Sequence, residues 1–152
     1  MGLDTSHDAW SGAYSAFHTW REMIVDAAGL PPLVLMEGFY QPLYCRGYSP
    51  PTLWYGLETM ETKYMDDLDN FLPIKWECLK PSPLHELLCH SDCEGEIPAD
   101  HCAAIADALE AVIPKLPDKD VGGHIGNVRK KTQRFVDGLR AAAEAGEPLD
   151  FH

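Results

Sequence analysis

The stretch Ser6-His7-Asp8-Ala9-Trp10-Ser11-Gly12-Ala13-Tyr14-Ser15-Ala16-Phe17-His18-Thr19-Trp20-Arg21-Glu22-Met23-Ile24-Val25-Asp26-Ala27-Ala28 decides the class of fold. Trp10, Ala13, Tyr14, Phe17, Trp20, Ile24, Val25 and Ala28 recur at spacings of three and four, the period of a helix with one buried apolar face. The spacing predicts a helix from about Ser6 to Ala28, with Thr5 and Asp8 as a capping box and Gly29, Pro31 and Pro32 as its stop.

Working outward, Leu33-Val34-Leu35-Met36 reads as a short buried strand or a helical turn, which periodicity alone does not separate. From Phe39 to Gly56 aromatics and prolines crowd together, and the segment reads as a long irregular loop that either covers the core or binds something. Leu57, Met60, Tyr64, Leu68 and Phe71 fit a second, acidic helix, and Ile74, Trp76 and Cys78 alternate with charged residues as in a half-buried strand. Ser82 and Pro83 open a short helix through Leu84, Leu87 and Leu88. Pro98 opens another, whose apolar face is Cys102, Ile105, Ala106, Leu109, Val112 and Ile113. The last helix runs from about Ile125 to Ala145 with Val128, Thr132, Phe135, Val136, Leu139 and Ala142 facing inward, and Gly146 ends it. The tail Pro148 to His152 is expected to add an edge strand beside Leu3. The whole reads as a helix-rich α+β single domain over residues 1–152, with three to five helices and a small sheet of short strands.

With 24 acidic against 12 basic residues the formal net charge is −12, so the surface repels phosphate backbones and anionic headgroups. General nucleic-acid binding and membrane binding are therefore not expected. No stretch approaches the roughly 20 apolar residues of a membrane span, and the N-terminus has no basic region followed by an apolar run. Five cysteines without a secretion signal fit a reducing cytoplasm, as free thiols or metal ligands.

Two constellations offer chemistry. Between His85 and Cys102, 18 residues hold His85, Cys89, His90, Asp92, Cys93, Glu94, Glu96, His101 and Cys102. Cys89, Cys93 and His90 offer the ligands zinc prefers, and Asp92, Glu94 and Glu96 around Gly95 offer oxygens suited to magnesium, manganese or calcium. Cys89, His90, Asp92 and Cys93 are the metal candidates, and His90, Asp92 and Glu94 the catalytic ones. A Cys-x₃-Cys pair matches no zinc knuckle and Asp-x-Glu-Gly no EF-hand, so each residue also has an ordinary reading: Cys89 and Cys102 in the core, Asp92 in a turn, Glu94 and Glu96 near a helix N-terminus.

The second constellation is Gly122-Gly123-His124-Ile125-Gly126-Asn127-Val128-Arg129-Lys130-Lys131, where glycines precede a helix and four basic residues fall between Arg129 and Arg134. Unpartnered N–H groups at a helix start suit phosphate, which makes His124, Asn127, Arg129 and Lys130 ligand-binding candidates. The alternative is a turn followed by a solvated basic face, because a Walker loop's Gly-Lys-Ser/Thr ending is missing. Asp4 and His7, with Ser6, are further ligand-binding candidates near the N-terminus, where capping is the competing role.

The segments Gly2-Leu3-Asp4-Thr5-Ser6-His7 and Leu88-Cys89-His90-Ser91-Asp92-Cys93-Glu94-Gly95-Glu96-Ile97 resemble those of small uncharacterised proteins of bacteria and their phages. The resemblance implies no activity and no residue roles. Two functional expectations follow from the residues. One is a cytoplasmic domain that binds or hydrolyses a small phosphorylated, nucleotide-like ligand with a divalent metal as cofactor. The other is an acidic, phage-type interaction protein that engages a basic protein partner and inhibits or sequesters a host component without catalysis.

Overall fold

The computed structural model describes residues 2–39 and 74–152. The aromatic loop and the acidic helix expected between them lie outside the described residues. Among the described residues are four α-helices and two small two-stranded antiparallel sheets, a helix-rich α+β arrangement as expected.

The chain begins as a hairpin, not as a helix. Strands β1 (Gly2–Asp4) and β2 (Ser11–Ala13) pair with Leu3 opposite Gly12, and α1 (Tyr14–Ala27) starts eight residues later than its periodicity suggests. Trp10 and Ala13 fall on the helical spacing but belong to the hairpin. The reason is local: Thr5 Oγ1 accepts the backbone N–H of Trp10 at 2.7 Å, and the Thr5 N–H donates to Trp10 O at 3.0 Å. These bonds close the turn, and Thr5 serves there instead of capping a helix. The C-terminus of α1 follows the sequence, with Gly29 in the left-handed region at φ 69.

The Leu33–Leu35 segment takes the helical-turn alternative as a 3₁₀ turn, whereas the strand expected over Ile74 to Cys78 is replaced by a 3₁₀ turn at Trp76–Leu79. Among the described residues, extended pairing of these two segments is limited to a parallel bridge from Met36 to Ile74. Ile74 finds one residue to pair with, and the chain then turns so that Leu79 enters the core while Cys78 stays exposed.

Helix α2 (His85–Cys89) follows Ser82, whose hydroxyl accepts the Leu84 N–H at 3.2 Å. Strand β3 (Gly95–Ile97) leads through Pro98 into α3 (Ala99–Val112). Helix α4 (Val128–Ala145) starts at an Asn127 cap, stops at Gly146 (φ 69), and leads into β4 (Leu149–Phe151). The tail strand forms, with a different ladder partner from the one expected: β4 pairs with β3, Ile97 opposite Leu149. Its other side meets the end of the first hairpin through a Thr5–Phe151 bridge and reciprocal backbone bonds between Asp4 and His152, at 2.9 and 3.0 Å.

Helices α3 and α4 are antiparallel neighbours, because β3 precedes one and β4 follows the other. Inside, α1 contributes Phe17, Trp20 and Ile24, and the hairpin Leu3 and Trp10; they meet Phe135 and Leu139 from α4 and Phe151 from β4. The rings interlock, Trp20 lying 4.8 Å from Phe135 and Trp10 edge-on to Phe17 at 5.1 Å. One polar pair is embedded among them: Trp20 Nε1 donates to Thr132 Oγ1 at 2.9 Å, and that hydroxyl donates to Val128 O at 2.7 Å. Thr132→Val keeps the shape and orphans the indole N–H, so urea unfolding is expected to register a loss of about 1–3 kcal/mol.

Candidate functional site

Arg21, which sits on the apolar face of α1 between Trp20 and Ile24, is fully buried and organises the loop after α2. Its Nη1 donates to His90 O at 2.7 Å and Leu88 O at 3.1 Å, with Leu87 O at 3.5 Å. Its Nη2 pairs with the Asp92 carboxylate. One guanidinium thereby satisfies carbonyls at the end of α2 and anchors the residues that follow. Burial pushes the Arg21 pKa down, and Asp92 is the principal group opposing that shift.

Asp92 is therefore engaged with its own protein. His90 is placed similarly: its ring stacks on Phe151 at 4.1 Å, and its Nδ1 lies 2.9 Å from Ser91 O. A Cβ at Gly95 would come within 3.0 Å of the same ring, and Gly95 has φ 118, so glycine answers both a backbone and a packing demand there. The Ser91 hydroxyl accepts the N–H of Cys93 at 3.2 Å, tightening the turn. Glu94 is exposed.

Among the described residues, no three His, Cys, Asp or Glu side chains are grouped to hold a metal ion. The four-residue metal set Cys89, His90, Asp92 and Cys93 is thus not assembled. Its members are divided between Arg21, Phe151 and solvent, with both cysteines exposed. Cys89 also has its thiol pKa raised, first by desolvation, which disfavours the thiolate that metal binding needs.

The glycine-basic segment is likewise committed to the fold. Asp120 and Asn127 form an antiparallel bridge, with exposed His124 at φ 65 in the turn between them. Asn127 Oδ1 accepts the Lys130 N–H at 3.1 Å and its Nδ2 donates to Asp118 at 3.0 Å, so the first turn of α4 already has its cap. Arg129 donates to Leu116 O at 2.7 Å and Pro114 O at 2.9 Å. Lys131 Nζ donates to Ser11 O at 2.8 Å and lies 4.3 Å over the Trp10 ring. Arg134 binds Asp8. Lys130 extends into solvent.

The two constellations stand at opposite ends of α3. The ligand-rich loop and β3 precede that helix, the basic segment caps its far end through Arg129, and its 14 residues span about 21 Å. His90, Asp92 and Glu94 therefore do not share a cleft with Arg129 and Lys130. His7 joins neither group, and Asp4 approaches the ligand-rich loop only by way of β4. Asp4 is exposed beside β4, and His7 Nε2 lies 3.3 Å from Glu147 Oε2.

Two features emerge that the sequence reading had not singled out. One is an acidic ribbon face. In the β3–β4 ladder Glu96 stands directly opposite Asp150, both exposed, with exposed Glu94 and Asp4 on neighbouring backbone. Among the described residues no basic side chain pairs with any of these four carboxylates. By contrast, Arg140 neutralises Asp107 and Glu110 between α3 and α4. The other feature is a groove of about 250 Å³ between α2 and α3, in which His101 Nδ1 lies 2.7 Å from Glu86 Oε2. His101 lay within the ligand-rich stretch, but its partner stands 15 residues away on another helix, and no spacing rule joins them.

Comparison with known proteins finds no matching family model, no curated protein and no solved structure.

Proposed function

We propose that this protein is an interaction module whose acidic ribbon face, Glu94, Glu96, Asp150 and Asp4, engages a basic protein partner. The observation that carries the reading is the direct opposition of Glu96 and Asp150 across the β3–β4 ladder. Like charges facing each other across a strand pair destabilise the isolated fold. Such an arrangement is relieved when lysine or arginine side chains of a partner lie between the carboxylates. The net charge of −12 supplies long-range attraction and a fast encounter with such a partner. The phosphorylated-ligand reading receives less support, because its acidic and basic groups are about 21 Å apart along α3 and are largely engaged within the fold. The resemblance to phage-type small proteins fits a partner that is a basic host component.

The test is a paired neutralisation, with a lysine-rich peptide as the probe. Glu96→Gln with Asp150→Asn is expected to raise thermal stability slightly while weakening binding roughly two- to thirtyfold, two exposed ion pairs being removed. Asp26→Gln with Glu144→Gln removes the same charge elsewhere and is expected to change affinity much less. Equal losses from the two double variants would show that only total charge matters and would defeat the ribbon assignment.

A further inference from the structure

The groove between α2 and α3 carries a second, independent reading. Its polar wall comprises Lys80, Ser82, His85, Glu86, Asp100 and His101. His101 Nδ1 and Glu86 Oε2 are 2.7 Å apart, the range of a charge-assisted bond. A carboxylate only accepts, so the Nδ1 of the ring carries the hydrogen, and in the neutral imidazole Nε2 is left as the basic nitrogen. The tautomer is therefore set by Glu86.

Both supporting helices are held firmly. Leu87 and Leu88 of α2 are in the core and their carbonyls face Arg21, while Cys102 and Ile105 bury the opposing turn of α3. The side chain of His101 is nonetheless 52% exposed, and that of Glu86 34%. The pair is thus fixed by buried neighbours and reachable from solvent, the combination that acid–base chemistry uses. With His101 neutral, the wall sets Lys80 against Glu86 and Asp100, a net negative charge within an acidic protein. Anionic substrates are repelled, and neutral ones are not.

We propose that Glu86 and His101 form a general-base dyad that hydrolyses a small, neutral, activated ester bound in this groove. His101 Nε2 takes a proton from water as the water oxygen bonds to the acyl carbon. Collapse of the tetrahedral intermediate breaks the bond from that carbon to the leaving oxygen. The leaving group takes the proton back from the imidazolium, so ester and water become acid and alcohol with the dyad restored. His101 is the catalytic residue and Glu86 its positioning residue.

The probe is p-nitrophenyl acetate, hydrolysed by the full chain near neutral pH. His101→Ala is expected to lower the rate on the order of a hundredfold with the circular dichroism spectrum unchanged. Glu86→Gln falls between the two, and His152→Ala matches the parent. Nitrogen-15 spectra of the ring report positioning separately: His101 is expected as the Nδ1–H tautomer, and as a mixture in Glu86→Gln. A His101→Ala protein that retains the parental rate, or a parental ring found as the Nε2–H tautomer, overturns the dyad. Neither result bears on the ribbon face, whose variants leave the groove intact.

Discussion

Arg21→Ala is expected to lower the unfolding free energy by about 3–5 kcal/mol, read from the urea midpoint, because removing one member of a buried charged network strands the rest. The stranded groups are the carbonyls of Leu88 and His90, the more distant Leu87 carbonyl, and the Asp92 carboxylate. A loss of that size is a large fraction of the roughly 5–15 kcal/mol that holds a domain together. Asp92→Asn is expected to cost considerably less, since Asp92 is partly exposed and the guanidinium keeps its carbonyl partners. Arg21→Lys should recover only part of the loss, because a point charge does not reproduce the planar fork that spans carbonyls and carboxylate together. The order Ala, Lys, Asn, from worst to mildest, distinguishes an anchoring cation from a simple ion pair. An Arg21→Ala variant within 1 kcal/mol of the parent would exclude the anchoring role. Hydrogen exchange should localise the damage, with amides from Cys89 to Gly95 losing protection first.

The second large effect concerns Gly138, inside α4. A Cβ built there would lie 2.3 Å from Ala9 Cβ and 2.7 Å from Ala9 Cα, closer than real atoms approach. In a solvated helix Gly→Ala stabilises by about 1 kcal/mol. Here the sign is expected to reverse. The new methyl drives α4 away from the backbone of the N-terminal turn, and overpacking of this kind costs about 1–3 kcal/mol or more. Gly138→Ala should therefore lower stability by about 2 kcal/mol, and Gly138→Val should leave the chain largely unfolded. Ala9→Gly in the same chain removes one of the clashing carbons, so the double variant is expected to be more stable than additivity predicts. Strict additivity would mean that α4 and the turn separate without cost.

The fold was legible where the signal is local. Pro98 and Gly146 mark a helix start and a helix stop because ring geometry and a left-handed φ act within a turn, whatever the distant chain does. The start of α1 was not legible. Trp10 and Ala13 continue the helical spacing of Phe17 and Trp20, yet bonds between Thr5 and Trp10 and pairing with Leu3 turn that stretch back into a hairpin. Tertiary pairing outweighed a pattern that was sound in itself. The short strand β3 was hidden because three residues hold too little alternation to read.

The candidate sites show the same division. The density of reactive side chains between His85 and Cys102 was visible, but their engagements were not, since Arg21 arrives from α1 and Phe151 from the chain's last strand. One signal was available: Arg21 occupies a position that the apolar spacing of Phe17, Trp20 and Ile24 assigns to the core. A charged residue at such a position announces a buried partner without naming it. The opposition of Glu96 and Asp150, and the meeting of Glu86 with His101, depend on register and helix packing that no linear pattern encodes.

The junction of β4 with the N-terminal hairpin bears on the order in which the molecule is built. The Asp150 N–H donates to Ser6 Oγ at 2.9 Å, joining residues 144 positions apart. Phe151 fills the space between Phe17, Phe135 and the His90 ring. Synthesis makes the first hairpin long before β4, so its apolar side with Leu3 and Trp10 stays uncovered until residues 149–151 are available. Closure over so long a loop is entropically slow. Docking of β4 against β3 and the first hairpin is therefore expected to follow the local contacts within each helix, because its partners lie far away in sequence.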